Sequence, residues 1–143
     1  MLMPAVSHYM TRQPWTIGRN ASLAEAHHLM RDHNIRHLPV LDDGRLVGIV
    51  SMGDLHLLET IADFPLEDVE VGEAMTSNPF IVTSDTALDD IVEIMADKKY
   101  GSVIVVGRDG VEGIFTTVDA CRALADVLRG TVAESLGLAP NQP

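Results

Sequence analysis

Gly48-Ile49-Val50-Ser51-Met52-Gly53-Asp54 returns as Gly113-Ile114-Phe115-Thr116-Thr117-Val118-Asp119, a constant 65 residues further on. In each copy a glycine leads a short apolar run to a hydroxyl residue with an aspartate three positions later, the pattern of a strand ending at a helix N-terminus. A hydroxyl and a carboxylate at this spacing are ordinary helix caps. The same helix start, with unpaired N–H groups and a partial positive charge, also suits an anion. In that case the two side chains can divide a phosphate and a sugar between them. One copy leaves both readings open.

The same shift pairs Val6 with Val71, Met10-Thr11 with Met75-Thr76, Pro14 with Pro79, Trp15 with Phe80, Leu23 with Leu88, Met30 with Met95 and Val40 with Val105, without a gap. Loops that keep their length along with the elements mark two copies of one supersecondary unit. The units are residues 1–65 and 66–130, with a tail at 131–143 and Phe64-Pro65-Leu66-Glu67-Asp68 as linker. Each begins with a short helix ending near its Met-Thr pair. After the proline come short extended segments, Trp15-Thr16-Ile17 and Phe80-Ile81-Val82-Thr83. A helix follows, with apolar stripes at Leu23, Ala26 and Met30, and at Leu88, Ile91, Val92 and Met95. Ser22 with Glu25 fits a capping box, and Asp85 or Thr86 caps the second copy. Two strands joined at Asp42-Asp43-Gly44 or Arg108-Asp109-Gly110 lead to the opening motif and a last helix, which Gly130 is placed to stop. The class is α/β (α+β), two β-α-β-β-α lobes.

Composition narrows the function. Of 143 residues, 46% are hydrophobic and only 4% aromatic, so the core rests on aliphatic side chains. A net charge of −11 opposes both a general nucleic-acid surface and an anionic membrane. One cysteine excludes an intrachain disulfide, and neither a basic leader nor a membrane-length apolar run is present, so a cytoplasmic location is expected. No catalytic residue is expected and the chain does not read as an enzyme. Cys121 reads as a packed thiol, and Ser51 lacks the Gly-x-Ser-x-Gly surroundings of a hydrolase elbow. Trp15 and Phe80 read as core aromatics. All six histidines, His8, His27, His28, His33, His37 and His56, lie in the first copy, which invites a metal. No His-Glu-x-x-His or Cys/His spacing accompanies them, so solvated histidines are the favoured reading and no metal ligands are assigned.

This tandem order resembles the cystathionine-β-synthase (CBS) domain pair over about residues 3–129. Met-Thr-x-x-Pro at the start of each copy, His37-Leu38-Pro39-Val40 and the two Gly-apolar-apolar-Ser/Thr-x-x-Asp motifs carry the likeness. As a free-standing pair it is similar to the small bacterial CBS proteins of the acetoin-utilisation type. The resemblance implies two lobes about a pseudo-twofold axis, with clefts that bind AMP, ADP, ATP or S-adenosylmethionine as regulatory ligands, and no obligatory cofactor. It further implies that Asp54 and Asp119 receive ribose hydroxyls and that Ser51 and Thr116 meet phosphate or ribose oxygens. Trp15-Thr16-Ile17 and Phe80-Ile81-Val82, with Ile35 and Tyr100, would line the base pocket, each cleft mixing residues of both copies. Arg36-His37 and Gly101-Ser102 would approach the phosphates. Arg36 can grip a phosphate bidentately and Gly101 cannot, so unequal clefts are expected. A homodimer through exposed helices is also implied, with Leu55, Leu58, Ile61 and Ala62 as a candidate face that could equally close the core, and so is an unidentified regulated protein. The alternatives are a ligand-free dimerisation and assembly module and, with less support, a metal-binding CBS protein.

Overall fold

Each of two four-stranded sheets is completed by a strand from the other sequence repeat. The computed structural model describes residues 3–63 and 65–135. The first repeat supplies β1 (Thr11–Arg12), β2 (Ile17–Gly18), α1 (Leu23–His33), β3 (His37–Asp42), β4 (Arg45–Ser51) and α2 (Met52–Leu57). The second supplies α3 (Val71–Ala74), β5 (Thr76–Ser77), β6 (Ile81–Val82), α4 (Leu88–Lys98), β7 (Ser102–Gly107), β8 (Gly110–Thr116) and α5 (Thr117–Ser135). The sheet orders are β2-β3-β4-β5 and β1-β8-β7-β6. We call these sheets, with the helices packed on them, the first and second lobes.

The strand after each Met-Thr pair is thus exchanged. β1 lies antiparallel to β8 with Thr11 opposite Ile114, and β5 lies antiparallel to β4 with Thr76 opposite Ile49. Backbone bonds extend the exchange: Val6 N–H donates to Thr86 O and Leu88 N–H to Pro4 O, while Val71 N–H donates to Ala21 O and Leu23 N–H to Val69 O. The motif glycines give the entering segment room. A Cβ on Gly48 would sit 2.6 Å from Met75 Sδ and 2.7 Å from the Thr76 carbonyl oxygen, and one on Gly113 would sit 2.5 Å from Met10 Sδ. Two lobes that each need the other repeat's first segment cannot be separated at the linker.

Both cores follow from strand alternation and helix stripes. Leu23, Ala26, Met30, Leu38, Val40, Val50 and Leu55 of the first repeat close over Val71 of the second. Leu88, Ile91, Met95, Val103, Val105 and Phe115 close over Val6 and Met10 of the first. Successive strand residues point to opposite faces, so Ile104 and Ile114, paired across β7 and β8, point away from that core. Both are buried nonetheless, and the adjacency of β4 and β8 identifies the cover as the facing sheet. Ile104 stands where the first repeat has Pro39, which is buried as well.

Several expectations need correction. Gly130 does not stop the last helix: α5 continues to Ser135, with no proline before Pro140 to end it. α4 begins after Ala87 and has no side-chain cap, because Thr83, Asp85 and Thr86 hydrogen-bond among themselves in the preceding turn. Cys121 is exposed on α5 rather than packed. Trp15 is 52% exposed and stacks flat on His33, with ring centroids 3.8 Å apart, so it is no core aromatic. Leu55 is buried and Leu58 half-buried against the first core, so these two close the interior instead of offering an outer face. The linker includes a 3-10 turn at Leu66–Asp68. Phe64, residues 136–143 of the tail and the side chains of Ile61 and Ala62 lie outside the described residues.

Candidate functional site

The two opening motifs become two strand–helix junctions with the same backbone. Met52 N–H donates to Arg36 O at 2.9 Å, and Thr117 N–H donates to Gly101 O at 3.2 Å. These bonds fix each helix start against the chain entering β3 or β7. His37 pairs with Ser51 in one ladder and Ser102 with Thr116 in the other, so the predicted phosphate and ribose residues are cross-strand neighbours in both lobes.

Side chains then divide the junctions. In the first, Ser51 Oγ accepts from Asp54 N–H at 3.2 Å and Asp54 Oδ2 accepts from Ser51 N–H at 2.8 Å, a reciprocal capping box. The Ser51 hydroxyl proton and Asp54 Oδ1 have no partner among the described residues. In the second, Asp119 Oδ2 accepts from Thr116 N–H at 2.9 Å and from the Thr116 hydroxyl at 3.3 Å, while Asp119 Oδ1 pairs with Arg122 Nη1 at 3.2 Å. Asp119 is only 3% exposed, whereas Asp54 is half-buried. The cap reading is therefore correct for both aspartates, and it leaves spare hydrogen-bonding capacity in the first junction. Arg122 is a participant that the motif search missed. Its signal was an aspartate and an arginine three apart on one helix, where the first copy has Leu57 after Asp54.

Ile35, Arg36, His37 and Ser51 line one groove of about 660 Å³, together with Met52 and Gly53 of α2 and residues of α1. His37 also reaches the other lobe, since a Cβ on Gly101 would lie 3.3 Å from its Nε2. Gly101 thus leaves space for the histidine. Burial lowers the His37 pKa; the Asp54 carboxylate works against that and the Arg36 guanidinium adds to it. The residues expected to line the base pocket are more dispersed. Trp15 is held on His33, Thr16 is half-buried, and the Ile17 side chain is buried in the first core, leaving only its backbone for a ligand. Phe80 and Val82 pack against the second core, Phe80 meets Tyr100 at 5.6 Å, and Ile81 and Tyr100 are exposed. No group of three or more histidine, cysteine, aspartate or glutamate side chains suited to a metal occurs among the described residues. No described helix is long and apolar enough to cross a membrane.

The family model described as "CBS domain" matches residues 6–57 and again 71–126. A crystal structure of a candidate acetoin utilization protein, AcuB, from Vibrio cholerae superposes with a TM-score of 0.78 at 29% identity, covering 99% of this chain and 100% of that one. The CBS domain pair of protein MJ0100, in complex with 5′-methylthioadenosine and S-adenosyl-L-methionine, superposes with a TM-score of 0.79 at 28% identity, covering 87% and 98%. CBSX2 in complex with AMP gives a TM-score of 0.72 at 28% identity, covering 88% and 99%. The chain belongs to the CBS domain family.

Proposed function

We propose that this CBS domain pair is a regulatory module that binds an adenosyl ligand, AMP, ADP, ATP or S-adenosylmethionine, at the junction of its two repeats. The unspent hydrogen-bonding capacity of the first junction carries the reading. Asp54 Oδ1 can accept from ribose hydroxyls, and the Ser51 hydroxyl can donate to an oxygen of the same ligand. Arg36 and His37 line one groove with Ser51 and are assigned to a phosphate. Trp15, Thr16, Ile17 and Ile35, and Phe80, Ile81, Val82 and Tyr100, are assigned to the base, each cleft drawing on both repeats. Gly101, Ser102, Thr116 and Asp119 form the second and weaker site. The adenosyl ligands bound by MJ0100 and CBSX2 support the ligand class.

Regulation requires two arrangements for which the ligand has different affinity. The arrangement that changes is assigned to a homodimer. Leu124, Val127 and Leu128 are exposed along α5 and share one face at i, i+3 and i+4, the feature that supports self-association. A cytoplasmic regulated protein would complete the circuit. Calorimetry of the full chain with AMP, ATP and S-adenosylmethionine tests the reading: saturable binding to at least one, weakened about tenfold or more by Asp54→Asn, is expected. Absence of heat and of any thermal shift at saturating ligand overturns it in favour of a ligand-free assembly module.

A further inference from the structure

Arg122 stands in one junction and has no counterpart in the other. A carboxylate offers about four lone-pair sites. Asp119 has three of them filled, two on Oδ2 by the Thr116 N–H and hydroxyl and one on Oδ1 by Arg122 Nη1. Asp54 has one filled, on Oδ2 by the Ser51 N–H. The two hydroxyls of a ribose need two free sites that they can reach, and Asp119 is only 3% exposed. The Arg122 side chain is itself 69% exposed, so it meets the carboxylate from the solvent side. Nothing in the core requires it there. Leu57, 65 residues earlier at the equivalent position, is also exposed, so this helix position carries no core packing in either repeat.

We propose that Arg122 is a latch that decides how many ligands the module holds: paired with Asp119 it shuts the second junction to ribose, and its release opens a second adenosyl site. The proposal rests on the adenosyl reading above and adds to it the regulation of one of the two sites. Release asks little of the guanidinium. Asp126 lies one turn further along α5, at the i, i+4 spacing that brings side chains together. It gives one oxygen to the Tyr9 hydroxyl, and its other oxygen has no partner among the described residues, so a displaced Arg122 finds a second carboxylate within reach. Release also leaves the helix start in place, because Thr116 keeps both of its bonds to Oδ2 and Thr117 N–H keeps its bond to Gly101 O. The ligand therefore displaces one ion pair and no backbone. Two junctions that share a backbone and differ by this latch fill in sequence, the first at low ligand and the second at high.

Calorimetry of the full chain, with AMP, ATP and S-adenosylmethionine each used as probe, counts the sites. The parent should bind one equivalent, with any second step at least about tenfold weaker. Arg122→Ala should tighten that second step about tenfold or more and leave the first unchanged, while Arg122→Lys, which keeps a cation at the position, should tighten it less. The sharper test uses Asp54→Asn, in which the first junction is weakened. Adding Arg122→Ala to it should bring back binding about tenfold tighter than Asp54→Asn alone, and adding Asp119→Asn to that pair should remove the gain. Melting curves of each variant check that the fold is kept. A parent that binds one equivalent and an Arg122→Ala variant that binds in the same way overturn the latch and spare the adenosyl reading, as does a parent that binds two equivalents with equal affinity. Binding by Arg122→Ala with a silent parent upholds the latch and overturns the first junction as a site. No binding by either chain overturns both.

Discussion

Asp54 and Asp119 cap equivalent helices 65 residues apart, and their surroundings give them different work. Asp119 is buried, holds the Thr116 hydroxyl and N–H, and has its remaining oxygen on Arg122. Asp54 is half-buried, holds only the Ser51 N–H, and has Leu57 where Arg122 would be. The residues proposed to meet phosphate differ in the opposite sense. The first lobe offers Arg36 and His37, whereas the second offers Gly101, which makes room for His37, and Ser102. Duplication preserved the backbone and let one junction satisfy itself while the other stayed available. A pair of lobes can thus be symmetric in fold and asymmetric in chemistry.

The largest expected effect tests what the lobes share. Gly48→Ala and Gly113→Ala should each destabilise the chain by about 1–3 kcal/mol in urea unfolding, because the new methyl meets the exchanged segment. Gly48→Ala should be the more costly, since the Thr76 carbonyl oxygen lies 2.7 Å from its Cβ while that of Thr11 lies 3.1 Å from the Cβ at position 113. A neutral result at either site would mean that the exchanged strand is not pinned there. The next effect tests the difference. Asp54→Asn should weaken the adenosyl ligand by tenfold or more while lowering stability by about 1 kcal/mol. Asp119→Asn should do the reverse, costing about 2 kcal/mol for a buried, charge-assisted set of bonds and altering ligand affinity little. Equal losses of affinity in both variants would restore the two clefts to equivalence.

A smaller effect isolates a clasp found in one lobe. The Tyr9 hydroxyl donates to Asp126 Oδ2 at 2.8 Å, joining the first repeat's opening segment to α5. The corresponding position in the second repeat is Ala74. Tyr9→Phe should lower stability by about 1 kcal/mol or less, because the bond is exposed. An unchanged midpoint would show that β1 and the buried Val6 and Met10 hold the segment unaided.

Most of the fold was legible because the repeat allowed every element to be read twice. The exchange of β1 and β5 was not, since two-residue strands carry no periodicity and nothing local tells Thr11-Arg12 which sheet to join. Its one trace was the glycine of each motif, whose need for space appears only when Met10 or Met75 is seen against it. The aspartates and hydroxyls were legible because their spacing repeats, whereas Arg36-His37, whose counterparts are Gly101-Ser102, was singled out only through the likeness to the CBS pair. The groove beyond them was not legible. His27, Arg31 and His56 belong to two helices, and only packing brings them beside Arg36. Trp15 misled because its partner Phe80 does pack against a core, whereas His33 gives the tryptophan a surface on which to stack.

The most delicate contrast lies in pH dependence. Burial lowers the His37 pKa in the fold, more than the opposing Asp54 carboxylate restores. The unfolded chain therefore binds a proton at position 37 near the ordinary histidine pKa of about 6.5, while the folded chain does not until a lower pH. Stability from this group is fully present above that ordinary value, falls as pH drops below it, and levels off beneath the folded-state pKa. The second lobe, with Ser102 at the corresponding position, contributes no such slope. Thermal unfolding of the parent chain and of His37→Gln across mildly acidic to neutral pH should show the parent gaining on the variant as pH rises through the window just below the free histidine value. Parallel curves would remove His37 as the source.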